Sequence, residues 1–550
     1  MKYLLLRLTN NKSLFIKLLV ASFLVNILAL STPIYVIQVL QRYVAYGVTS
    51  TLVTLVIGVT FIAVFEFFFR NIRHRMAREY ELKNIELSNK VLTKLNSIKS
   101  HIYEVSFKFR NDQINKNLNK IQNTYSASTI LNLLDVPFTV IFLLALFLIH
   151  YQIGLICLIF LAIPFLIDRL YLEKIKKLSQ QNDLLQSSIF RIFDNVITRN
   201  LSIKFFSLTS PIAKSWNFLA NGIANNREDL EAEKNLISSY SSSIGSLLTI
   251  SVIGWGSTLA VDGQISVGAL IGANILAARA LMPIIRYVAM KNNLSMAENS
   301  MNEINEYLNI PSDNNSGATI KEFKGTIEVN DLFFQYPQTK NPIFESLNLT
   351  FGPGNIISIV GSNGSGKSTL INVLASVLEL SRGSILIDGI ELTQISKAWY
   401  RNQTAFSPQE PKFIDGSLKD NLIGSNEIKE SDFRNILIEV DLLNYINSRE
   451  KGLNTLLDER GETLPVGIRK RMSLARAMIN QSQLVILDEP TEGLDINGRK
   501  HVIKLIKNEN QRNKTIIIAT NDQEIINLSH TLVDMNSKPK PSIAKVKNNG

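Results

Sequence analysis

The segment 361–369 carries the residue types that bind a polyphosphate, in the order G-x-x-x-x-G-K-[ST]. Backbone N–H groups of such a turn surround phosphate oxygens, the lysine reaches the β- and γ-phosphates, and the first hydroxyl binds Mg²⁺. The apolar run 356–360 predicts a strand before it and 370–378 a helix after it, as the pattern requires. An ordinary Gly/Ser turn rarely meets all these conditions. The residues predicted to bind a nucleoside triphosphate are Gly361, Ser362, Asn363, Gly364, Ser365, Gly366, Lys367, Ser368 and Thr369.

Long apolar stretches precede this loop. They cover residues 13–40, 51–69, 130–149, 153–172, 236–261 and 265–288. Each approaches or exceeds the roughly 20 residues that a helix needs to cross a bilayer. Buried helices of a soluble core can be equally apolar, but six in succession favour membrane spans. Prolines inside four of them predict bends, at Pro33, Pro137, Pro164 and Pro283.

The distribution of basic residues predicts the orientation of these spans. Residues 70–126 and 173–235 are long and rich in lysine and arginine, whereas the alternate connections are short and nearly uncharged. By the positive-inside rule, the basic segments and both termini are cytoplasmic. The formal net charge of +11 is largely explained in this way, and no basic face indicates a nucleic-acid partner. The single cysteine, Cys157, excludes an intramolecular disulfide.

Composition also divides the chain. Apolar residues at helical spacing, including Leu82, Ile85 and Leu92, predict membrane helices that continue into the cytoplasm. Short β-branched runs alternate with helical segments after a polar, turn-rich stretch, which indicates an α/β domain. The expected divisions are a cytoplasmic segment 1–12, a transmembrane domain 13–296, a linker 297–322, a nucleotide-binding domain 323–536 and a disordered basic tail 537–550.

Further motifs surround the loop in sequence. An apolar run ends in Asp488 and Glu489, and the residues Glu492-Gly493-Leu494-Asp495 follow it. Gln409 ends the sequence Phe406-Ser407-Pro408-Gln409, and Tyr336 lies ahead of the loop in Phe333-Phe334-Gln335-Tyr336-Pro337. These resemble the Walker B strand, D-loop, Q-loop and adenine-stacking aromatic of an ATP-binding cassette. Asp458-Glu459-Arg460-Gly461 resembles a segment specific to exporters.

The order of six spans and one cassette resembles an ABC exporter half-transporter over essentially the whole chain. The resemblance implies an α-helical six-span ABC exporter transmembrane domain followed by an α/β P-loop ABC nucleotide-binding domain. It implies ATP and Mg²⁺ as cofactors and a second half-transporter as partner, in a homodimer or a heterodimer. The implied catalytic residues are Glu489, Asn521 and Gln409, the metal ligands are Ser368, Gln409 and Asp488, and the further nucleotide contacts are Tyr336, Gly467 and Asp495.

Within this family, the segments 32–39, 134–138 and 263–270 look like those of type I secretion transporters. That resemblance implies a multi-pass protein of the bacterial inner membrane. It would act with a periplasmic adaptor and an outer-membrane channel to export a polypeptide. Many such transporters carry an N-terminal peptidase or peptidase-like domain. The first span starts near Ser13, so we expect no such domain and no cleavage of leader peptides.

Two motifs depart from the family. The signature Leu-Ser-Gly-Gly-Gln is replaced by Leu464-Pro465-Val466-Gly467-Ile468, and Asn521 stands where the family has a switch histidine. A hydrogen bond to a charged group contributes about 1.5–3 kcal/mol, and one oxyanion-type donor contributes roughly 10²–10³ in rate. We therefore expect ATP binding with slowed hydrolysis.

Alternatives from different classes remain at this point. Glu489, Gln409 and Asp495 favour an ATP-driven exporter subunit. Pro465, Val466 and Asn521 favour a poorly hydrolysing regulatory subunit of a heterodimeric exporter. Export of lipid or small molecules is a further alternative, because apolar spans do not identify the cargo.

Overall fold

The computed structural model describes residues 2–9, 11–99, 111–313, 315–336, 339–424, 426–457 and 461–546. It divides into two compact units. The first comprises Met1–Asn96 and Phe109–Ile310, and the second comprises Ser97–Lys108 and Pro311–Gly550. Each unit has its own arrangement of secondary structure.

The first unit is helical. Its helices are α1 (Lys2–Thr9), α2 (Lys12–Leu28), α3 (Ser31–Gln38), a π-helical turn (Val39–Val44), α4 (Thr49–Ser97), α5 (Asn111–Thr124), α6 (Ala127–Asp135), α7 (Thr139–Ile149), α8 (Tyr151–Thr198), α9 (Asn200–Phe205), α10 (Thr209–Val261) and α11 (Val267–Leu308). Among the described residues, six helical segments are long and apolar enough to cross a membrane: Lys12–Val44, Thr49–Ser97, Ala127–Ile149, Tyr151–Tyr171, Thr209–Val261 and Val267–Leu308. The predicted six spans are confirmed.

The prolines act in two ways. Pro33 lies in the first turn of α3, just after α2 ends, and Pro137 lies between α6 and α7. Proline lacks the N–H that would continue a helix from the preceding turn, so both positions mark breaks. Pro164 and Pro283 lie inside the continuous helices α8 and α11.

The apolar residues that predicted the continuation of α4 are exposed in the structure. The helix does continue as predicted, to Ser97, but Leu82, Ile85 and Leu92 are 63%, 58% and 59% exposed. The buried positions of this helix are instead Arg73, Ala77, Tyr80, Asn84 and Val91. Of these, Tyr80 donates its hydroxyl hydrogen to the Leu8 carbonyl oxygen at 3.1 Å, and Arg73 pairs with Asp135.

The second unit is an α/β domain. Its strands are β1 (Ile327–Phe334), β2 (Phe344–Phe351), β3 (Ile356–Val360), β4 (Arg382–Ile387), β5 (Ile390–Glu391), β6 (Thr404–Ser407), β7 (Gly416–Ser417), β8 (Leu456–Leu457), β9 (Leu484–Asp488), β10 (Thr515–Ala519), β11 (Thr531–Asp534) and β12 (Ser542–Lys545). Its helices are α12 (Lys367–Leu374), α13 (Lys397–Asn402), α14 (Leu418–Leu422), α15 (Glu430–Glu439), α16 (Leu443–Asn447), a 3₁₀ turn (Gly452–Asn454), α17 (Val466–Met478), α18 (Ile496–Gln511) and α19 (Gln523–Ile526).

The central sheet has the order β12-β11-β3-β10-β9-β6, and the strands from β11 to β6 are parallel. β9 and β10 are buried along their whole length, as expected of parallel strands covered on both faces. A separate antiparallel sheet has the order β2-β1-β4-β5. The carboxyl ends of β3, β6, β9 and β10 meet at one edge of the central sheet, which is where open α/β sheets bind ligands.

Two segments differ in structure from the expected divisions. Helix α11 runs to Leu308, so residues 297–308 of the expected linker continue the last membrane helix. Residues Ser542–Lys545 of the basic tail form strand β12, which pairs antiparallel with β11. Both additions are short, and the β12 side chains are exposed.

Candidate nucleotide-binding site

The glycine-rich loop joins β3 to α12. Gly364 and Gly366 have φ angles of +79° and +108°, in the region that L side chains rarely adopt. A Cβ on Gly366 would also lie 2.3 Å from Cγ2 of Ile343. The two glycines therefore hold a backbone that other residues would strain. This conformation starts helix α12 at Lys367, with the positive end of the helix at the loop.

A cavity of about 380 Å³ opens at this loop. Its size is within the range of small-molecule sites. It is lined by Tyr336, Ile343, Ser362, Asn363, Gly364, Ser365, Gly366, Lys367, Ser368, Thr369, Gln409 and Glu489. The fold thus gathers predicted residues from the loop, from the end of β6 and from the end of β9.

Lys367 is the buried cation of this cavity. Its ammonium group donates to the Gly361 carbonyl oxygen at 2.7 Å and lies 3.5 Å from Oε1 of Glu489. The side chain is 8% exposed. Low solvent exposure strengthens its attraction for an anion in the cavity, because water screens the charge less. It is placed at the start of α12, where a phosphate also meets the free amides of the helix.

Asp488 ends strand β9 beside the loop. Its Oδ1 is buried and has no hydrogen-bond partner among the residues that the structure describes, whereas the Ser368 hydroxyl bonds its carboxylate. Burial raises the pKa of Asp488 above its usual range, and Ser368, Lys470 and Lys367 oppose that shift. A buried carboxylate oxygen without a donor, next to a hydroxyl, fits a divalent cation with oxygen ligands. The residues present therefore fit Mg²⁺.

Glu489 follows Asp488 in a strained backbone conformation. Its φ angle is +44°, and its N–H donates to the Ala519 carbonyl oxygen at 2.9 Å. Such conformations cost roughly 1–3 kcal/mol and occur often at functional sites. Burial raises the pKa of the Glu489 carboxyl, and the nearby Lys367 ammonium opposes the shift. A raised pKa suits a group that accepts a proton near neutral pH.

Gln409 and Tyr336 also line the cavity. Gln409 belongs to the segment after β6, and Tyr336 to the segment after β1. The Gln409 amide donates to Oε2 of Glu492 at 3.0 Å, so it is already tied to the segment after β9. The Tyr336 ring is 36% exposed and meets Phe334 edge to face, with its hydroxyl 3.3 Å from Oγ1 of Thr369. An exposed aromatic face beside the loop can stack on a base.

Asn521 follows β10 at the same edge of the sheet. Its Oδ1 accepts a hydrogen bond from the Gly361 N–H at 3.3 Å. The residue does not line the cavity, but it contacts the first residue of the loop. His530, which also lies near β3, accepts a bond from the Ile356 N–H at 3.0 Å and so has a structural partner.

The remaining predicted residues lie outside the cavity. Gly467 is in the first turn of α17, after Pro465, which is the N-cap and makes no side-chain cap bond. Asp495 caps α18 through the Gly498 N–H at 2.8 Å and pairs with Arg471 at 3.2 Å. Residues 458–460 of the expected exporter segment lie outside the described residues.

Lys470 has a position that sequence reasoning did not assign. It is 2% exposed, and its ammonium donates to the Gln409 carbonyl oxygen at 2.9 Å and the Asp488 carbonyl oxygen at 3.2 Å. Burial lowers the pKa of Lys470, while the charges of Asp488, Glu492 and Glu489 oppose the shift. This cation joins the segment of Gln409 to the end of β9. The sequence signal that could have indicated this position was a lysine on the buried face of the segment that forms α17.

Comparisons with known proteins agree with this arrangement. Residues 344–492 match the family model described as "ABC transporter". The chain is 26% identical over 539 residues to the alpha-hemolysin translocation ATP-binding protein HlyB of Escherichia coli O157:H7, covering 95% of this chain and 74% of that protein. It is 24% identical over 535 residues to the leukotoxin export ATP-binding protein LtxB of Aggregatibacter actinomycetemcomitans, with the same two coverages. The solved structure of a bacterial Atm1-family ABC exporter with ATP bound aligns with a TM-score of 0.83 at 17% identity, over 96% of this chain and 94% of that chain.

The chain therefore contains an ABC transporter domain, has the fold of an ABC exporter and is related to toxin-translocation ATP-binding proteins. The resemblance and the fold class predicted from the sequence are confirmed. A domain of this family binds ATP. With the candidate spans, the likeness identifies a multi-pass inner-membrane protein whose ATP-binding domain is cytoplasmic.

Proposed function

We propose that this chain is a subunit of an ATP-driven exporter that moves a polypeptide across a bacterial inner membrane in a type I secretion pathway. One observation carries the proposal: the phosphate loop with Lys367 shares a cavity with Glu489, on a chain that also has six candidate spans within its described residues. A cation for the phosphates and a carboxylate of raised pKa are the two groups that hydrolysis needs in one place.

Each residue then has a role that its position supports. Tyr336 stacks on the adenine, and Lys367 with the amides of 362–369 holds the β- and γ-phosphates. Mg²⁺ supplies charge neutralisation on the phosphates, and Ser368, Asp488 and Gln409 would hold it. Glu489 accepts the proton of the attacking water. Its existing contact with Lys367, at 3.5 Å, sets the carboxylate beside the phosphate position.

The site is incomplete in one chain, which supports a second half-transporter as the partner. Gly467 and Asp495 lie outside the cavity, although both belong to motifs that contact nucleotide in the family the chain resembles. Near them, Val466 and Ile496 are 55% and 74% exposed. We propose that the signature segment 464–468 of one subunit completes the cavity of the other, in a homodimer or a heterodimer.

The names of the relatives support a polypeptide cargo. The two proteins cited above are described as alpha-hemolysin translocation and leukotoxin export proteins. We extend that class of cargo to this chain and propose a periplasmic adaptor and an outer-membrane channel as further partners.

A second candidate is a regulatory subunit that binds ATP and hydrolyses it poorly. Pro465 leaves helix α17 without a side-chain cap. A Cβ on Gly493 would lie only 2.9 Å from Cγ1 of Val466, so Val466 already fills the space above the turn 492–495. Asn521 carries no positive charge. In this candidate, the partner subunit performs the hydrolysis.

Hydrolysis by the full chain in nanodiscs separates the two candidates. An exporter subunit releases phosphate from MgATP slowly but above background, and Glu489→Gln abolishes the release without preventing ATP binding. The amide cannot take a proton from water. The exporter proposal is wrong for the homodimer if wild type and Glu489→Gln release phosphate equally slowly while both bind ATP.

A further inference from the structure

The membrane unit contains a second cavity, of about 970 Å³, well away in sequence from the nucleotide loop. It is bounded by α2, α4, α6, α7 and α11. Its basic residues are Arg70, Arg73, His74, Arg279 and Arg286, whereas Asp135 is the one acidic residue that lines it in the described part of the chain. An ionisable residue at membrane depth is costly and usually marks a functional site.

Two of these arginines are neutralised within the unit. Arg73 bonds Asp135 through both terminal nitrogens, the shorter contact being 2.5 Å. Arg70 pairs with Glu66, one turn earlier on α4, at 2.5 Å. The charge of Glu66 also acts on Arg279, but Glu66 and Asp135 each already pair with another arginine.

Arg279 and Arg286 are the other two arginines that line the cavity. Among the described residues, no carboxylate forms an ion pair with either, and the hydrogen bond found for Arg279 goes to Oγ1 of Thr32 at 3.4 Å. Arg279 lies twelve residues after Val267, which begins α11, so at 1.5 Å per residue it is about 18 Å from that helix end. The hydrocarbon core is about 30 Å thick. Arg279 therefore lies inside the apolar stretch 265–288 that the sequence predicts to cross the membrane, within the candidate span Val267–Leu308.

Other groups in the cavity also lack partners. Within the described ranges of the chain, the Nε of Arg73 and the Oδ1 of Asn274 are buried without hydrogen bonds. Buried polar groups are nearly always satisfied, so such groups point to an occupant that bonds them. The cavity walls also carry apolar residues, including Phe67, Phe142 and Met282. An occupant that bonds both polar groups must present an acceptor to Arg73 Nε and a donor to Asn274 Oδ1, as a polypeptide can with a carboxylate and a backbone N–H, together with apolar groups for the walls.

We propose that this cavity binds carboxylate side chains of an acidic polypeptide segment, with Arg279 and Arg286 as the groups that select it. The proposal rests on the proposed function, because it names the class of cargo for the same exporter. Arginine suits this task, since its planar group binds a carboxylate through two parallel hydrogen bonds. An anionic lipid headgroup offers similar charge but belongs at the interface, so it would reach Arg286, about 28 Å along the helix, more readily than Arg279, about 18 Å along it.

The test uses the full chain, without nucleotide, in nanodiscs of phosphatidylcholine. Fluorescein-labelled 20-residue peptides in which glutamate, glutamine or lysine alternates with leucine or serine are titrated by anisotropy. We expect the glutamate peptide to bind at least about tenfold more tightly than the glutamine peptide, as loss of one charged hydrogen bond implies. Arg279→Gln and Arg286→Gln should each remove about that factor. Arg75→Gln, an exposed arginine of α4 outside the cavity, should leave binding unchanged.

The proposal is overturned if the glutamate and glutamine peptides bind alike, or if neither cavity variant weakens the glutamate peptide. A second arm tests lipid as the occupant. If phosphatidylglycerol in the nanodisc abolishes peptide binding, and native mass spectrometry finds that lipid on wild type but not on Arg279→Gln, the site binds a headgroup and the peptide proposal is wrong. Phosphate release from MgATP by wild type and Glu489→Gln, measured in the same nanodiscs, reports the exporter proposal separately. Failure of the cargo proposal is therefore distinguishable from failure of the exporter proposal.

Discussion

Repair of the two unusual motifs should restore ATP hydrolysis. The substitutions are Asn521→His, which supplies a donor that can be charged, and Pro465→Ser with Val466→Gly, which restore a hydroxyl and close approach at the start of α17. Each change returns a different contact to the γ-phosphate. Asn521 is well placed for this, because its Oδ1 lies 3.3 Å from the N–H of Gly361 in the phosphate loop.

The magnitudes follow from the contacts. One hydrogen bond from a charged donor contributes about 1.5–3 kcal/mol, which corresponds to roughly 10- to 150-fold in rate. We expect Asn521→His to raise kcat by about that factor. The lost bond to Gly361 costs about 0.5–1.5 kcal/mol of stability. Pro465→Ser should return about 0.5–2 kcal/mol, because the N-cap of α17 now has no side-chain acceptor.

The assay is phosphate release by the full chain in nanodiscs at saturating MgATP. Asn527→His is the matched control, since it makes the same substitution at an exposed position outside the cavity. Glu489→Gln in the repaired chain should return the rate to background. If the triple repair stays at background while ATP still binds, Glu489 is not a base hampered by its surroundings. If the unrepaired chain already matches the repaired one, the reasoning about Pro465, Val466 and Asn521 is wrong.

Two further predictions concern orientation and pH. With Cys157→Ser as background, cysteines introduced at Tyr46 and Asp262 should react with an impermeant reagent added outside the cell. A cysteine at Asn195 should not react. The reverse labelling pattern would contradict the predicted orientation. Because burial raises the pKa of Glu489, its carboxylate is lost at a higher pH than that of an ordinary glutamate, near 4.3. The acid limb of kcat against pH in the repaired chain should therefore lie above that value, and a limb at or below it would contradict the role of Glu489.

Local signals predicted the fold well. Apolar runs of span length located the membrane helices, and the glycine pattern with its flanking strand and helix located the phosphate loop. Both depend on neighbours in sequence. Breaks at Pro33 and Pro137 followed from the missing N–H of proline. The burial along α4 did not follow, because the helical spacing of Leu82 and Ile85 does not say which face of the helix a neighbouring element covers.

Contacts between segments that are distant in sequence could not be predicted from the sequence. Lys470 bonds the carbonyl of Gln409, sixty-one residues earlier, and only the parallel order of β6 and β9 brings them together. The ion pair of Arg471 with Asp495 likewise depends on how α17 meets α18. Strand β12 formed in a lysine-rich tail because β11 offered a free edge. Pairing partners of this kind are set by topology rather than by local composition.

ATP binding at the loop is the claim on which the account depends, and Lys367→Ala tests it most directly. The ammonium of Lys367 is buried beside the phosphate position, so its loss removes at least one charged hydrogen bond, about 1.5–3 kcal/mol. In a nucleotide titration of the full chain, the dissociation constant of ATP should rise about 10- to 150-fold. Lys500→Ala, which alters an exposed lysine of α18, should leave it unchanged. An unchanged affinity in the folded Lys367→Ala protein would contradict the assignment of this loop.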